Sequence, residues 1–296
     1  MTYPLAGRVV IVTGAGRGIG RAVALECARQ GAAVVVNNRS PEPGEAVARE
    51  IEALGGAAIA HPGDVADSAV AKALIGVAVA RFGRLDGLVN NAGIVRDRML
   101  VNMSEEEWDE AVRVNLRGTF LPLQAAARHW RELAKAGPVS ASIVNTTSAA
   151  GLYHNLGQSN YGAAKAGVTN LTVTASAELA RYGIRVNAVA PAAATRMSEH
   201  LIPAENRRIG TFDRYEPATI APAVAWLVSE ASHGVTGRIY DLRGDRIYVA
   251  QGWHRGPTIE TSEPWTLERL GDRMLQLHRD ALGNAAMDGL PVMPPG

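Results

Sequence analysis

The feature that most limits the fold of this chain is a β-branched run that ends in a cluster of glycines. Residues 8–13 read Arg-Val-Val-Ile-Val-Thr, a buried strand by composition. Gly14, Gly16, Gly18 and Gly20 follow at once. A helix is expected over 19–30, with Gly31 as its C-cap, and a second apolar strand over 33–37. Strand, glycine turn, helix and strand make a βαβ unit.

The alternation continues. Helices are expected over 44–54 and 68–82, and strands over 57–61 and 88–90. Ser104 and Glu107 form a capping box for a helix that runs towards Leu133. That helix should be irregular near Gly118 and Pro122. A strand over 142–145, a helix from Tyr161 to about Tyr182, a strand over 185–189, a helix over 222–229 and a strand over 238–242 complete the pattern. Such regularity predicts an α/β fold, one doubly wound and mostly parallel sheet with helices on both faces. With 296 residues, the chain divides into a domain over 1–255 and an extension over 256–296. The extension should hold an amphipathic helix over 267–282 and a proline-bearing tail, disordered at its end, that packs on the domain or on a neighbouring subunit.

The bulk composition narrows the function classes. A formal net charge of +1 argues against nucleic acid or an anionic membrane as partner. Apolar runs fall short of the ~18 residues of a membrane span. Residues 1–7 lack a basic stretch followed by an apolar one, so no signal peptide is expected. The single cysteine, Cys27, allows no intrachain disulfide and suits a reducing cytoplasm. It follows Ile19 and Val23 at helical spacing, as a core side chain would. No metal site is expected.

Chemistry concentrates at Tyr161 and Lys165, four residues apart and so on one helix face. A phenol titrates near ~10, and an ammonium one turn away should lower that value. The pair is therefore a candidate general acid/base for an alcohol oxygen. Upstream, the glycine turn lets backbone N–H groups approach a pyrophosphate, although the literal G-x-G-x-x-G string is absent.

Together these motifs resemble the short-chain dehydrogenase/reductase family. Thr13-Gly14, Gly18 and Gly20 match its cofactor loop, and Asn90-Asn91-Ala92-Gly93 its motif after the fourth strand. Asn115, Ser148, Tyr161 and Lys165 match its catalytic tetrad. The match runs from about residue 5 to 241. It implies a Rossmann-type sheet and an NAD(P)(H)-dependent oxidoreductase acting on a small-molecule ketone or secondary alcohol. On that resemblance, Tyr161 exchanges the proton and Ser148 holds the substrate oxygen. Lys165 lowers the Tyr161 pKa and binds the nicotinamide ribose, and Asn115 anchors a relay water. The cofactor set is Gly14, Arg17, Gly18, Ile19, Gly20, Asn38, Arg39, Ser40, Asp64, Val65, Asn91, Ala92, Gly93, Tyr161, Lys165, Pro191 and Thr195. Asp64-Val65 should lie beside the adenine. Ala192 stands where the family has glycine after Pro191.

Several of these residues also have a plain structural reading. Asn90 and Asn91 would close a turn, Asp64 would be a local cap, and Ser148 would be one loop hydroxyl beside Thr146 and Thr147. Cofactor choice should sit at Asn38-Arg39-Ser40. The acid that holds an NAD ribose is missing there, and Arg39 and Arg17 offer cations to a 2′-phosphate. NADP(H) is favoured, with NAD(H) possible.

The substrate pocket should include His154, Gln158 and Met197, under a lid over 195–217 that also carries His200, Leu201, Ile202, Arg207, Arg208 and Phe212. Stretches 96–100 and 155–161 and Gly252-Trp253 resemble a subgroup related to the dehydrogenase domain of the peroxisomal multifunctional β-oxidation enzyme. That subgroup implies 3-oxoacyl/3-hydroxyacyl thioesters or hydroxysteroids. A broad-range carbonyl reductase and a non-catalytic dinucleotide-sensing protein stay open as alternatives. The small residues around Tyr161 and the family's habit suggest a homodimer or homotetramer.

Overall fold

A computed structural model describes residues 4–196, 202, 207–252, 255–262, 266–282, 284–285 and 287–291. The first half alternates β1 (Val9–Val12), α1 (Gly18–Arg29), β2 (Ala33–Asn38), α2 (Pro41–Ala53), β3 (Ala57–Pro62), α3 (Ser68–Phe82) and β4 (Gly87–Asn90). Helices α4 (Glu105–Val112) and α5 (Gly118–Leu133) lead to β5 (Ala141–Thr146), the single turn α6 (Ala149–Leu152) and α7 (Ser159–Leu179). Then come β6 (Ile184–Ala192), a hairpin of β7 (Arg208–Ile209) and β8 (Phe212–Asp213), α8 (Ala221–Val228), β9 (Ile239–Arg243), β10 (Arg246–Val249) and α9 (Leu267–Asp280).

Eight strands form one sheet in the order β10-β9-β6-β5-β4-β1-β2-β3. All pairs are parallel except β10 with β9. Strand β1 shows why. Val10 and Val12 face α1 and α8, packing with Val23, Leu25, Val224 and Val228. Val9 and Ile11 face α3 and α5, packing with Leu74, Ile75, Leu123 and Trp130. A strand buried on both faces reads as an unbroken β-branched run, and each such side chain contributes roughly 1.5–3 kcal/mol of burial. Cys27 lies in the first of these clusters. Its burial pushes the thiol up to about 12, so it is inert packing.

The capping box forms: Ser104 Oγ accepts from Glu107 N–H and Glu107 accepts from Ser104 N–H. The irregularity beyond it falls earlier than the sequence suggests. Arg113–Arg117 is a π-helical turn between α4 and α5, while Pro122 sits inside α5 without breaking it. Asn115 sits in that turn, its side chain bonded both to the Ala111 carbonyl of α4 and to Ile94 outside it. The β7–β8 strands are two residues each and β10 is exposed along its length, so none has a buried face to be read in advance. No helix among the described residues is long and apolar enough to cross a membrane.

Candidate active site

The C-terminal ends of β1, β4, β5 and β6 meet around one crevice. Gly14 opens it with φ +61, and a Cβ built there would lie 2.7 Å from Ala92 Cα. Only glycine suits that backbone and that approach. Thr13 Oγ1 accepts from Asn91 N–H at 3.0 Å and Ala92 N–H at 3.1 Å. Asn91 Nδ2 donates back to the carbonyls of Thr13 and Gly14. The Asn-Asn-Ala-Gly segment is thus a brace that shapes the glycine loop, and Asn91 spends its amide on the loop itself. Deeper, Asn90 Nδ2 donates to Asn145 Oδ1, and Asn145 Nδ2 to Thr172 Oγ1.

The loop fits a dinucleotide on its own geometry. The N-cap of α1, Arg17, makes no side-chain capping bond, and no acidic residue stands in the first turn. That end keeps its N–H groups and partial positive charge for an anion. Ile19 lies in that first turn, and Gly20 passes so close to Gly14 and Asn91 that a side chain would collide. Thr195, past the end of β6, lies over the loop: a Cβ at Gly18 would sit 3.4 Å from Thr195 Cγ2.

At the end of β2, Asn38 Nδ2 donates to Ser40 O at 2.8 Å, and a Cβ at Gly16 would lie 2.8 Å from Asn38 Oδ1. Arg17, Arg39 and Ser40 are exposed around it. Asp64 accepts from Ala66 N–H and from Arg113 Nη1 at 2.8 Å. Its partial burial pushes the carboxyl up, but these hydrogen bonds, with Arg113 and Arg39 nearby, hold it below its usual value. Val65 is buried, pointing at Gly118. Pro191 and Ala192 extend β6 in register with Leu242 and Arg243. Alanine suits that extended backbone, so the missing glycine costs nothing there.

Tyr161, Lys165, Ser148 and Asn115 converge beside this loop. Lys165 Nζ is buried, donates to Thr146 O at 2.7 Å and lies 5.6 Å from the centre of the Tyr161 ring. Burial alone lowers its pKa to about 8. The Ser148 hydroxyl lies beside the Tyr161 phenol and draws its pKa down, and it caps α6 through Ala150 N–H. Burial pushes the Tyr161 pKa above its ordinary value, the Ser148 hydroxyl pulls it down, and the charge of Asp97 pushes it up. The net shift runs opposite to the lowering expected from the Tyr-Lys spacing. The reason is visible: Lys165 is turned to the Thr146 carbonyl, and its own charge is disfavoured by burial.

Asn115 is fully buried. Its Nδ2 donates to Ile94 O and Ala111 O, both at 2.9 Å, and its Oδ1 accepts from Ile94 N–H at 3.2 Å. Both amide hydrogens are used, so the side chain holds the backbone beside the site.

Of the expected pocket residues, His154 is exposed and is the one described non-glycine residue with positive φ, at 78°. Gln158 is not a free pocket group. Its Nε2 donates to Asp97 Oδ1 at 2.9 Å, and its Oε1 accepts from Asn155. Met197, His200 and Leu201 of the lid, and Trp253, lie outside the described residues. Arg207 pairs with Asp213 at 2.6 Å. Three contributors were not singled out in the sequence. Asp97 sits near the phenol, Thr146 holds Lys165, and buried Asn160 ties Tyr161 N–H to the carbonyls of Arg96 and Glu107. Asn160 and Asp97 stood only inside longer stretches of resemblance, and Thr146 acts through its backbone.

The family model for short chain dehydrogenases matches residues 8–206. The chain belongs to the short-chain dehydrogenase family. It is 43% identical over 262 residues to the hydroxyacyl-CoA dehydrogenase ChsB1 of Mycobacterium tuberculosis, covering 86% of this chain and 82% of that one. It is 37% identical to the peroxisomal hydratase-dehydrogenase-epimerase of Neurospora crassa, matching 88% of this chain but 29% of that longer protein. It is 39% identical to the 3-oxoacyl-[acyl-carrier-protein] reductase FabG of Thermotoga maritima, covering 81% of this chain and 98% of that one. A crystal structure of a short chain dehydrogenase from Mycobacterium avium superposes with a TM-score of 0.87 at 44% identity, covering 95% of this chain and 98% of that one. This short-chain dehydrogenase is therefore an oxidoreductase of a family that uses NAD(P)(H).

Proposed function

We propose that the enzyme interconverts a ketone and a secondary alcohol with NADP(H), and that its substrates are 3-oxoacyl or 3-hydroxyacyl thioesters. One observation carries the reaction: the Tyr161 phenol has Ser148 beside it, drawing its pKa down, and the Lys165 ammonium 5.6 Å from its ring. The substrate class is supported by the names of ChsB1 and FabG, a hydroxyacyl-CoA dehydrogenase and a 3-oxoacyl reductase.

In reduction, Tyr161 Oη donates a proton to the ketone oxygen while the Ser148 hydroxyl holds that oxygen; in oxidation, Tyr161 takes the proton back. Lys165 supplies a buried amine one turn away and is placed to meet the nicotinamide ribose. Bound at this crevice, the nicotinamide supplies or accepts the hydride. Gly14, Arg17, Gly18, Ile19 and Gly20 would hold the pyrophosphate, with Asn91, Ala92 and Gly93 as its floor and Thr195 above. The 2′-phosphate would meet Arg39, Ser40 and Arg17. The end of β2 places no acid there to repel it, and Asn38 is neutral.

We also take 1–255 as the catalytic unit and 256–296 as an extension that serves it. A homodimer or homotetramer and a cytoplasmic setting complete the reading. Half-exposed Trp108, Phe120 and Val173 on α4, α5 and α7 support the first, and one buried thiol suits the second.

Fluorescence titration with NADPH and NADH, followed by turnover of 3-oxoacyl thioesters, steroids and small ketones, tests this. NADPH-dependent thioester reduction is expected. Tight dinucleotide binding without turnover of any carbonyl would instead mark a sensing protein.

A further inference from the structure

Beyond α9 the chain packs against Tyr153, in the segment between Ser148 and Tyr161. Ala285 and Pro291 pair as an antiparallel bridge, and Asp288 Oδ1 accepts from Leu290 N–H at 3.0 Å. The turn so closed rests on Tyr153. A Cβ built at Gly289, where φ is +79, would lie 3.3 Å from Tyr153 Cζ and 3.4 Å from its Oη. Backbone angle and ring contact together select glycine at this point.

Tyr153 is well placed to matter. It ends α6, between Ser148 and Tyr161 in the chain. Its hydroxyl lies beside the carboxyl group of Asp241 on β9, and each perturbs the other's pKa. One phenol therefore joins three pieces: the segment that carries Ser148 and Tyr161, the sheet, and the C-terminal turn.

Apolar side chains stand uncovered around this junction. Leu156, three residues past Tyr153, is 81% exposed, and Leu290, beside Gly289, is 64% exposed. Arg98 N–H donates to Gly157 O at 2.8 Å, which lays the 98–101 loop along the same segment. That loop carries Met99, Leu100 and Val101, all exposed, and Met99 Sδ lies 4.0 Å from a Cβ built at Gly157. Met287 adds a further half-exposed side chain. Arg96 and Arg98 are salt-bridged to Glu110 and Glu107 of α4, which fixes the loop in place. Exposed apolar side chains along the segment that links Ser148 to Tyr161 are what a large apolar substrate group would cover.

We propose that the turn over residues 287–291, with residues 284 and 285, forms the outer wall of the substrate pocket and selects substrates with a large apolar group, a long acyl chain or fused rings, attached to the reacting carbonyl. Tyr153 is the positioning residue on which the wall is seated, and Gly289 the contact that sets its distance. This deepens the proposed reaction and rests on it for the identity of the reacting group.

Two variants of the full chain test the inference: one ended after residue 282, and Gly289→Val. Steady-state rates are compared for acetoacetyl thioester and a long-chain 3-oxoacyl thioester, with NADPH affinity measured alongside. The ratio of kcat/KM for long over short should fall about tenfold or more, through KM of the long substrate, with NADPH affinity within about twofold. Equal factors on both substrates, or no change, would overturn it. Hydrogen exchange supplies a readout that needs no turnover. Amides of 150–158 should exchange faster in the shortened chain, and a long-chain 3-oxoacyl thioester should protect 153–157 and 287–290 in the parent. Unchanged exchange in both arms contradicts the wall. Absent turnover with protection intact contradicts only the reaction.

Discussion

Gly93 and Asn115 touch: a methyl group at Gly93 would lie 2.7 Å from Asn115 Oδ1 and 3.6 Å from Lys165 Nζ. The end of β4 is thereby locked to the π-helical turn and to the buried amine at once.

Gly93→Ala should accordingly push the Asn115 amide off Ile94. Overpacking of this kind costs about 1–3 kcal/mol, and turnover should fall as well because Asn115 braces the backbone beside the site. Urea unfolding and initial rates on one preparation check this. Parent-like rates would show that the contact is idle.

Asn115→Ala removes three buried hydrogen bonds and leaves two carbonyls and an N–H of the backbone short of partners. A loss of about 2–3 kcal/mol in unfolding free energy is expected. Circular dichroism during denaturation measures it, and parent-like stability would mean that the π turn stands without its brace.

Arg39→Ala should weaken NADPH about tenfold to a hundredfold, the worth of a charge-assisted contact, and leave NADH unaffected. Asn38→Asp should move preference towards NADH, because a carboxylate there repels a 2′-phosphate and accepts from a 2′-hydroxyl. Paired titrations decide. Equal effects on both dinucleotides would place the 2′-phosphate elsewhere.

Lys165 carries a pH signature. Its pKa is lowered from 10.5 to about 8 by burial, so between those values the unfolded chain binds more protons than the folded one. Stability contributed by this group therefore rises with pH across the window, by about 1 kcal/mol per pH unit. Above about 9 the buried Cys27, raised to about 12, works in the opposite direction. The clearest interval is pH 8 to 9, where Lys165→Met should flatten the unfolding free energy against pH. A parent-like slope in the variant would show that the amine is not held in a desolvated state.

Much of this molecule could be read before any coordinates. The parallel core was legible because β1 and its partners are buried on both faces, and such strands must be continuous apolar runs. The capping box at Ser104 and Glu107 formed because it needs only residues three apart. Ser148 and Tyr161 come together for a similar reason, standing just past a strand end and at a helix start, with Lys165 one turn on, where the fold brings the chain back to one edge. What escaped notice depends on long-range contacts. The π turn could not be placed, because Asn115 bonds to Ile94 from another segment. Asn91 and Gln158 read as ligand-facing groups, yet their amides are spent on Gly14 and Asp97. The rise in the Tyr161 pKa comes from burial, and helical spacing carries no record of depth. The seat of Gly289 on Tyr153 joins positions far apart in the chain, with no local pattern to announce it.

The central claim is that the Tyr161 hydroxyl carries the proton in ketone–alcohol exchange. The direct measurement is single-turnover oxidation of bound NADPH by a 3-oxoacyl thioester in the parent and in Tyr161→Phe, with NADPH affinity determined for both. Loss of a general acid predicts a rate about 10²–10⁴-fold lower in the variant at little-changed affinity. A Tyr161→Phe enzyme that turns over at the parent rate would contradict the account.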